Sequence, residues 1–379
     1  MTAASRPHSD ALRLPAEWEP QSFVQIAWPH RATDWAPYLD EANACYRQIA
    51  LEVARREPLV IVTPEPDAVE AQLRLAEGLN RANVHLIECP TNDTWARDHA
   101  FLTLVGTAAP DGAPGGSAEL CDFGFNGWGM KFAADLDNRI NAAVLDRLRP
   151  LLRTASAGAA PAASRVAYRD LRRTTLEGGS VESDGRGTLL TTTGCLLAPN
   201  RNYYATKAEA EAMLRSELHA ERVLWLDHGD LRGDDTDGHI DTLARLCPQD
   251  TIAYARCLDT EDGHHARLAA MERDLRALRT RDGLPYRLLP LPMPRAIHDA
   301  ETGERLPATY ANFLVLNNGH GGRAVLMPTY GQPDLDAEAA GVLRDAFPGF
   351  EVVGIDCRVL IRQHGSLHCV TMQYPQLGA

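Results

Sequence analysis

Short apolar runs separated by longer charged stretches recur along the whole chain, and this alternation limits the fold more than any other feature. Leu59-Val60-Ile61-Val62 is continuous and rich in β-branched residues, as a strand buried on both faces should be. A helical stretch at 68–79 and a second strand at 84–87 follow it. Further strands read at 223–226, 251–254, 324–326 and 352–355, with charged helical stretches at 207–218, 266–278 and 336–346. The pattern predicts an α/β protein in which one strand and helix unit recurs, rather than a bundle or a sandwich. No sequence repeat of fixed period accompanies it. The stretches 106–117 and 154–164, rich in Ala, Gly, Pro and Ser, are expected as surface loops, so residues 1–379 are read as one domain.

At 45% hydrophobic and 23% charged residues the chain can bury a sizeable core. Its net charge of -13, from 51 acidic against 38 basic residues, argues against nucleic acid and anionic membranes as partners and suits a small cation. The same surplus also serves solubility. Eight cysteines are scattered without a CxxC pair or a finger-like spacing, so neither a disulfide framework nor structural zinc is expected. Residues 1–10 hold no signal-type apolar core, and no window has the length of a membrane span. A cytoplasmic protein with reduced thiols is the expectation.

Four clusters could carry chemistry. In Thr94-Trp95-Ala96-Arg97-Asp98 the carboxylate could hold a cation whose planar face Trp95 covers, although a capped, salt-bridged loop would look the same. In Leu176-Glu177-Gly178-Gly179-Ser180, ahead of Asp184-Gly185 and a strand at 188–192, paired glycines would let backbone approach a ligand at which Glu177 points. A tight turn is the equal alternative. The acidic run 234–241 sets His239 and Asp241 two apart, on one face of an extended strand, where a base and a carboxylate could meet one substrate. Metal binding rivals this reading, but the spacing of a calcium loop and its closing Glu are missing. Finally, Cys369 opens a short strand after a glycine-containing loop. A lone cysteine is more often core filler than nucleophile, yet polar neighbours and an available His239 admit a reactive thiolate.

Together and in this order the clusters resemble the agmatine deiminase and bacterial-type peptidylarginine deiminase family, within the wider guanidino-modifying superfamily. The likeness runs from Leu14-Pro15-Ala16-Glu17-Trp18-Glu19-Pro20 and Trp28-Pro29-His30, through Phe125-Asn126-Gly127-Trp128-Gly129 and Pro199-Asn200-Arg201-Asn202. It continues to Asp237-Gly238-His239-Ile240-Asp241, Tyr310-Ala311-Asn312-Phe313, Val353-Gly354-Ile355-Asp356 and His368-Cys369. It implies the pentein fold, a propeller of five ββαβ units with the site in a central channel. It implies Cys369 as nucleophile, His239 as general acid and base, and Asp98 and Asp241 as the carboxylates gripping a guanidinium. Trp95, Glu177, Asn312 and Asp237 are the implied substrate-binding positions, with no cofactor and no metal.

The implied reaction converts agmatine and water to N-carbamoylputrescine and ammonia through a covalent thiouronium, toward putrescine. Deimination of peptidyl or C-terminal arginine is the alternative, and an inactive polyamine-binding homologue a remote one. Oligomeric state is left open, with a homodimer admitted. Two departures from the family pattern, His99-Ala100 after the Trp-x-x-Asp motif and Gly365-Ser366-Leu367 before His368-Cys369, are expected to alter the walls of the site.

Overall fold

The computed structural model describes residues 12–106, 117–152 and 166–377. The loops read at 106–117 and 154–164, and the reading of residues 1–10, fall outside the described residues apart from Gly106 and Ser117 themselves.

Mixed α/β structure is what the alternation builds. Among the described residues five small sheets form, none closed on itself, and all repeat one connection. An antiparallel pair is followed by a helix and then a parallel strand. Strands Leu102–Gly106 and Ala118–Gly124 pair antiparallel, helix Asp137–Leu148 crosses, and Val166–Thr175 joins parallel. The same order holds for Val181–Ser183, Thr188–Thr192, helix Lys207–Glu217 and Arg222–Leu226. It holds again for Ala244–Cys247, Thr251–Arg256, helix His265–Ala277 and Arg287–Pro292. A fourth copy comprises Leu314–Asn317, Arg323–Thr329, helix Pro333–Ala346 and Glu351–Asp356.

The fifth copy joins the two ends of the chain. Thr371–Pro375 pairs antiparallel with Gln21–Ala27, which runs parallel to Leu59–Thr63 after helix Leu39–Arg56, and Val84–Glu88 extends the sheet. Leu59–Thr63 is buried throughout, which explains its unbroken apolar run. Helix Leu39–Arg56 turns Ala42, Tyr46, Ile49, Ala50 and Val53 inward at helical spacing, with acids in its first turn and Arg55 and Arg56 in its last, where the helix dipole favours each. Helix Lys207–Glu217 starts from a capping box between Thr206 and Glu209.

Two expectations need correction. The helix read at 68–79 spans Pro66–Leu73 and ends early, giving way to tighter turns in which the Leu75 and Ala76 N–H groups donate to the Gln72 and Leu73 carbonyls, before Gly78 at φ +80°. His239 and Asp241 do not lie on a strand: Ile240–Thr242 is a 3-10 turn, entered through Asp237 and Gly238 at positive φ and closed by Thr242 Oγ1 donating to the His239 carbonyl at 2.9 Å. Among the described residues no helix is long and apolar enough to cross a membrane.

Candidate active site

Each link between two sheets contributes one part of a single buried cluster. Asp98 lies in the short helix Ala96–His99, between strands Val84–Glu88 and Leu102–Gly106. Glu177 and Gly179 follow Val166–Thr175, His239 and Asp241 precede Ala244–Cys247, Asn312 precedes Leu314–Asn317, and Cys369 precedes Thr371–Pro375. Cys369 therefore sits in the turn before its strand rather than at the strand's start. The backbone N–H of Arg97 donates to the Cys369 carbonyl at 3.1 Å and ties the first link to the last.

Asn312 positions the sulfur. Its Oδ1 accepts from the backbone N–H of His368 at 2.9 Å and of Cys369 at 3.3 Å, which settles the orientation of the amide, and its Nδ2 donates to Cys369 Sγ at 3.2 Å. Asp241 Oδ2 lies 3.7 Å from the same sulfur. Across the cluster, Asp98 accepts from Trp128 Nε1 at 2.9 Å and from the Gly179 N–H at 3.0 Å, and stands 3.7 Å from His239 Nδ1. Trp128 reaches Asp98 from a left-handed backbone, φ 55°, that its Asn-Gly-Trp-Gly setting enforces. Gly179 has no room for a side chain: a Cβ there would stand 2.6 Å from His239 Nδ1, 2.9 Å from Asp98 Oδ1 and 3.1 Å from Asp241 Oδ2.

Three polar atoms at this centre have no hydrogen-bond partner: His239 Nδ1, His239 Nε2 and Asp241 Oδ1. Unsatisfied buried polar atoms cost free energy, and several converging on one point mark a place where a ligand's donors belong. Burial works against a charge on the His239 ring, yet Asp98, Cys195 and Glu177 together outweigh it and carry the ring's pKa up to about 10. Burial pushes the Asp98 carboxyl up despite His239, whereas Asp241, for all its burial, is held down by His368. The Cys369 thiol is pushed well up by burial, then by Asp241 and Asp98.

A cleft open to solvent reaches this centre, lined by Trp95, Asp98, Trp128 and Cys369 together with Asp34, Asp93, Asp235, Phe132, Gln363 and His364. Among the described residues no Lys or Arg lines it. Gly365 lies flat on the Trp95 ring, where a Cβ would come within 2.1 Å of the indole. Of the positions singled out in the sequence, Trp95, Asp98 and Cys369 face the cavity, while His239, Asp241 and Asn312 are packed beneath it. Glu177 is fully buried with both oxygens on Arg201 Nε, at 2.9 and 3.0 Å. Asp237 pairs with Arg201 and Lys131 beside the mouth.

Of the two departures, the run 365–367 reaches the cavity lining through Gly365, whereas His99 does not line it. His99 is buried against Phe125, with its pKa lowered to about 3 by burial, and Ser366 shares a hydrogen bond with Tyr330 at 3.0 Å behind the lining.

The acidic run does not form a calcium-like loop. Asp234 accepts from Thr236 Oγ1 and the Gly238 N–H, and so shapes the turn that presents His239. Glu177, Cys195 and His239 do bring ligand atoms within 4.8 Å of one another, as do Glu17, Glu182 and His368. Arg201 and Arg245 already neutralise the carboxylates of these two groups, which leaves a metal ion little to gain there.

Over residues 13–375 the chain matches the family described as Porphyromonas-type peptidyl-arginine deiminase. It belongs to that family. The agmatine deiminase of Pseudomonas aeruginosa (strain LESB58) is 31% identical over 392 residues, covering 98% of this chain and 97% of the relative. The structure of a putative arginine deiminase from Porphyromonas gingivalis matches at TM-score 0.83 with 47% identity, over 97% of this chain and 99% of that one. C. jejuni agmatine deiminase with substrate bound matches at TM-score 0.82 with 31% identity, over 100% of both chains.

In this peptidyl-arginine deiminase family member, the sequence reading missed Trp128 as a partner of Asp98, and missed the buried set Glu17, Glu182, Arg245 and His368. Trp128 stands in Phe125-Asn126-Gly127-Trp128-Gly129, whose Asn-Gly pattern is first of all a turn signal. Nothing local marks the others as partners, because His368 and Glu17 are 351 residues apart.

Proposed function

We propose that this chain is an agmatine deiminase, and one observation carries the choice within its family. The cavity that ends on Cys369 and Asp98 is lined by Asp34, Asp93 and Asp235, and among the described residues by no Lys or Arg. Agmatine carries a guanidinium and a distal ammonium, so such a mouth attracts both ends. A C-terminal arginine would bring its carboxylate against the same acids, and like charges at close quarters discriminate strongly.

The guanidinium lies between Asp98 and the free Oδ1 of Asp241, whose charge-assisted hydrogen bonds aim its central carbon at sulfur. Its arrival supplies the positive charge that a buried thiolate lacks. Cys369 attacks to give a tetrahedral adduct, and the His239 imidazolium donates the proton with which ammonia departs. Neutral His239 then takes a proton from water, which hydrolyses the thiouronium to N-carbamoylputrescine. Covalent and acid–base steps suffice, so the scheme needs no cofactor. Five like sheets, with one site residue in each link between them, support reading the whole chain as a single pentein propeller around a central channel. A reduced nucleophile suits a cytoplasmic setting.

The test is ammonia and ureido-product release from agmatine, free arginine and a peptide with C-terminal arginine, all with chelator present. Agmatine should be the preferred substrate by about 100-fold or more in kcat/KM. A preference for the peptide would replace this reading with a protein-modifying one. Gly179→Ala should cost about 100-fold or more in kcat, because the backbone accepts alanine but the new methyl displaces His239 or a carboxylate. Wild-type turnover with an unchanged fold would contradict the placement of these three groups.

A further inference from the structure

The two oxygens of Asp241 have different surroundings. Oδ2 takes His368 Nδ1 at 2.8 Å, and Oδ1, without a partner, is left for a guanidinium. Apart from the Cys369 thiol at 3.7 Å, His368 is the hydrogen-bonding partner of this carboxylate among the described residues. The rotation of the carboxylate, and with it the direction in which Oδ1 points, therefore rests on His368.

His368 is held in turn by Glu17, from the motif Leu14-Pro15-Ala16-Glu17-Trp18-Glu19-Pro20 that the reaction scheme leaves unused. Glu17 Oε2 lies 2.7 Å from His368 Nε2, and Glu17 Oε1 accepts the Val315 N–H at 2.7 Å. Pairing of Thr371–Pro375 with Gln21–Ala27 brings these two ends of the chain together. Against burial, His368 lowers the pKa of both carboxyls. Ionised carboxylates only accept, so both ring nitrogens donate and an imidazolium stands between two anions. Its other charged neighbours keep it there. Arg245 Nη2, 3.1 Å from Nε2, donates to the same Glu17 oxygen at 2.8 Å, Glu182 pairs with Arg245, and Arg97 Nε donates to the His368 carbonyl at 3.4 Å.

We propose that Glu17 and His368 are positioning residues that orient Asp241 for the guanidinium. Glu17 aims the imidazolium, and the imidazolium takes one oxygen of Asp241 and presents the other to substrate. Neither residue touches substrate, and neither gives up a proton during the reaction. The positive charge behind Asp241 also keeps it ionised before a cation arrives in front of it. This role rests on the deiminase reading of the site.

The experiment compares wild type with His368→Asn, His368→Leu and Glu17→Gln. Asparagine and leucine have the same shape, but asparagine places the donor Nδ2 where histidine has Nδ1. Two rates of Cys369 alkylation are read at one pH. The amidinium of 2-chloroacetamidine needs Asp241, whereas neutral iodoacetamide does not. In His368→Leu the amidine-to-iodoacetamide ratio should fall about 100-fold, the scale of a misplaced binding group. In His368→Asn, which exchanges a charged donor for a neutral one, it should fall about tenfold or less. Glu17→Gln keeps an oxygen for Val315 and loses only the charge, so a fall of about three- to tenfold is expected. Agmatine KM should rise in the same order.

Damage to the turn that carries Cys369 would slow both reagents together and leave their ratio unchanged. Equal ratios in the leucine and asparagine variants would overturn the role of His368, and a wild-type ratio in Glu17→Gln would overturn that of Glu17. Should neither variant at 368 fold, Glu17→Gln decides alone. Wild type alkylated no faster by the amidine than by iodoacetamide would overturn the whole arrangement. If wild type releases no ammonia from any guanidine, the substrate reading fails while the alkylation ratios still judge these two residues.

Discussion

Cys369→Ala is expected to lower kcat for agmatine by roughly 10⁴-fold or more, the scale seen when a nucleophile acting as part of a catalytic unit is removed. Agmatine should still bind, because Asp98, Asp241 and Trp95 are untouched. A guanidinium spreads its charge over three nitrogens and resists water, so gripping it is no substitute for sulfur. Burial, then Asp241 and Asp98, hold the free thiol well above its ordinary range, so the resting residue is neutral. Uncharged iodoacetamide should therefore alkylate Cys369 slowly at neutral pH and faster as pH rises past that range. An amidinium reagent, which brings its own positive charge, should not need the rise. Cys195 is the comparison: it is buried beside His239, whose pKa it helps to raise, and burial raises its own thiol too, but it does not line the cavity, so Cys195→Ala should cost far less than Cys369→Ala, within about tenfold in kcat. Isothermal titration and ammonia release on the two variants measure this. Residual turnover in Cys369→Ala within about a hundredfold of wild type would remove sulfur from the mechanism.

The strands at 59–63, 251–256 and 323–329 were legible because a buried parallel strand writes itself as a continuous apolar run, and those at 222–226 and 351–356, only partly buried, still carry a short apolar run. The pairing of 371–375 with 21–27 was not, since nothing periodic in either segment names a partner at the other end of the chain. His239 and Asp241 show how two side chains can be brought together by a local structure other than the one read from their spacing. The spacing of two suggested a strand, but Asp237-Gly238 is a turn signal, and positive φ at both residues wins. The 3-10 turn still delivers both side chains to one point. The site residues came from the order of motifs along the chain, a property of the family resemblance rather than of any one cluster. What that order could not supply was the charge balance. Glu177, expected to face substrate, is bonded to Arg201, and Asp241 owes its lowered pKa first to His368, a residue read only as a neighbour of the cysteine.

Arg245→Ala should destabilise the protein by about 3–5 kcal/mol near neutral pH, the range for removing one partner of a buried charged set. Its guanidinium is almost wholly buried, pairs with Glu182 and, at 2.8 Å, with Glu17, and donates to the carbonyl of Phe313. Without it two carboxylates face each other in the core. Burial pushes against ionisation of Glu17, but His368 and Arg245 outweigh it and hold the carboxyl below the usual range. A folded-state pKa below the unfolded value, about 4.3, contributes stability that is present above that value and is lost as pH falls. Glu182 has the opposite sign: burial lifts it despite Arg245, so its contribution is present at low pH and lost as pH rises through the raised pKa. In Arg245→Ala Glu182 loses the charge that opposes its burial and Glu17 keeps only His368 and Arg97, so both carboxyls titrate higher than in wild type and the variant is relatively most stable in acid. The gap in melting temperature between wild type and variant should thus be widest near neutrality and shrink below about pH 4. Thermal unfolding at a series of pH values reads this directly. A gap independent of pH would mean that Arg245 acts through its packing on the Phe313 ring, 4.4 Å away, and not through its charge.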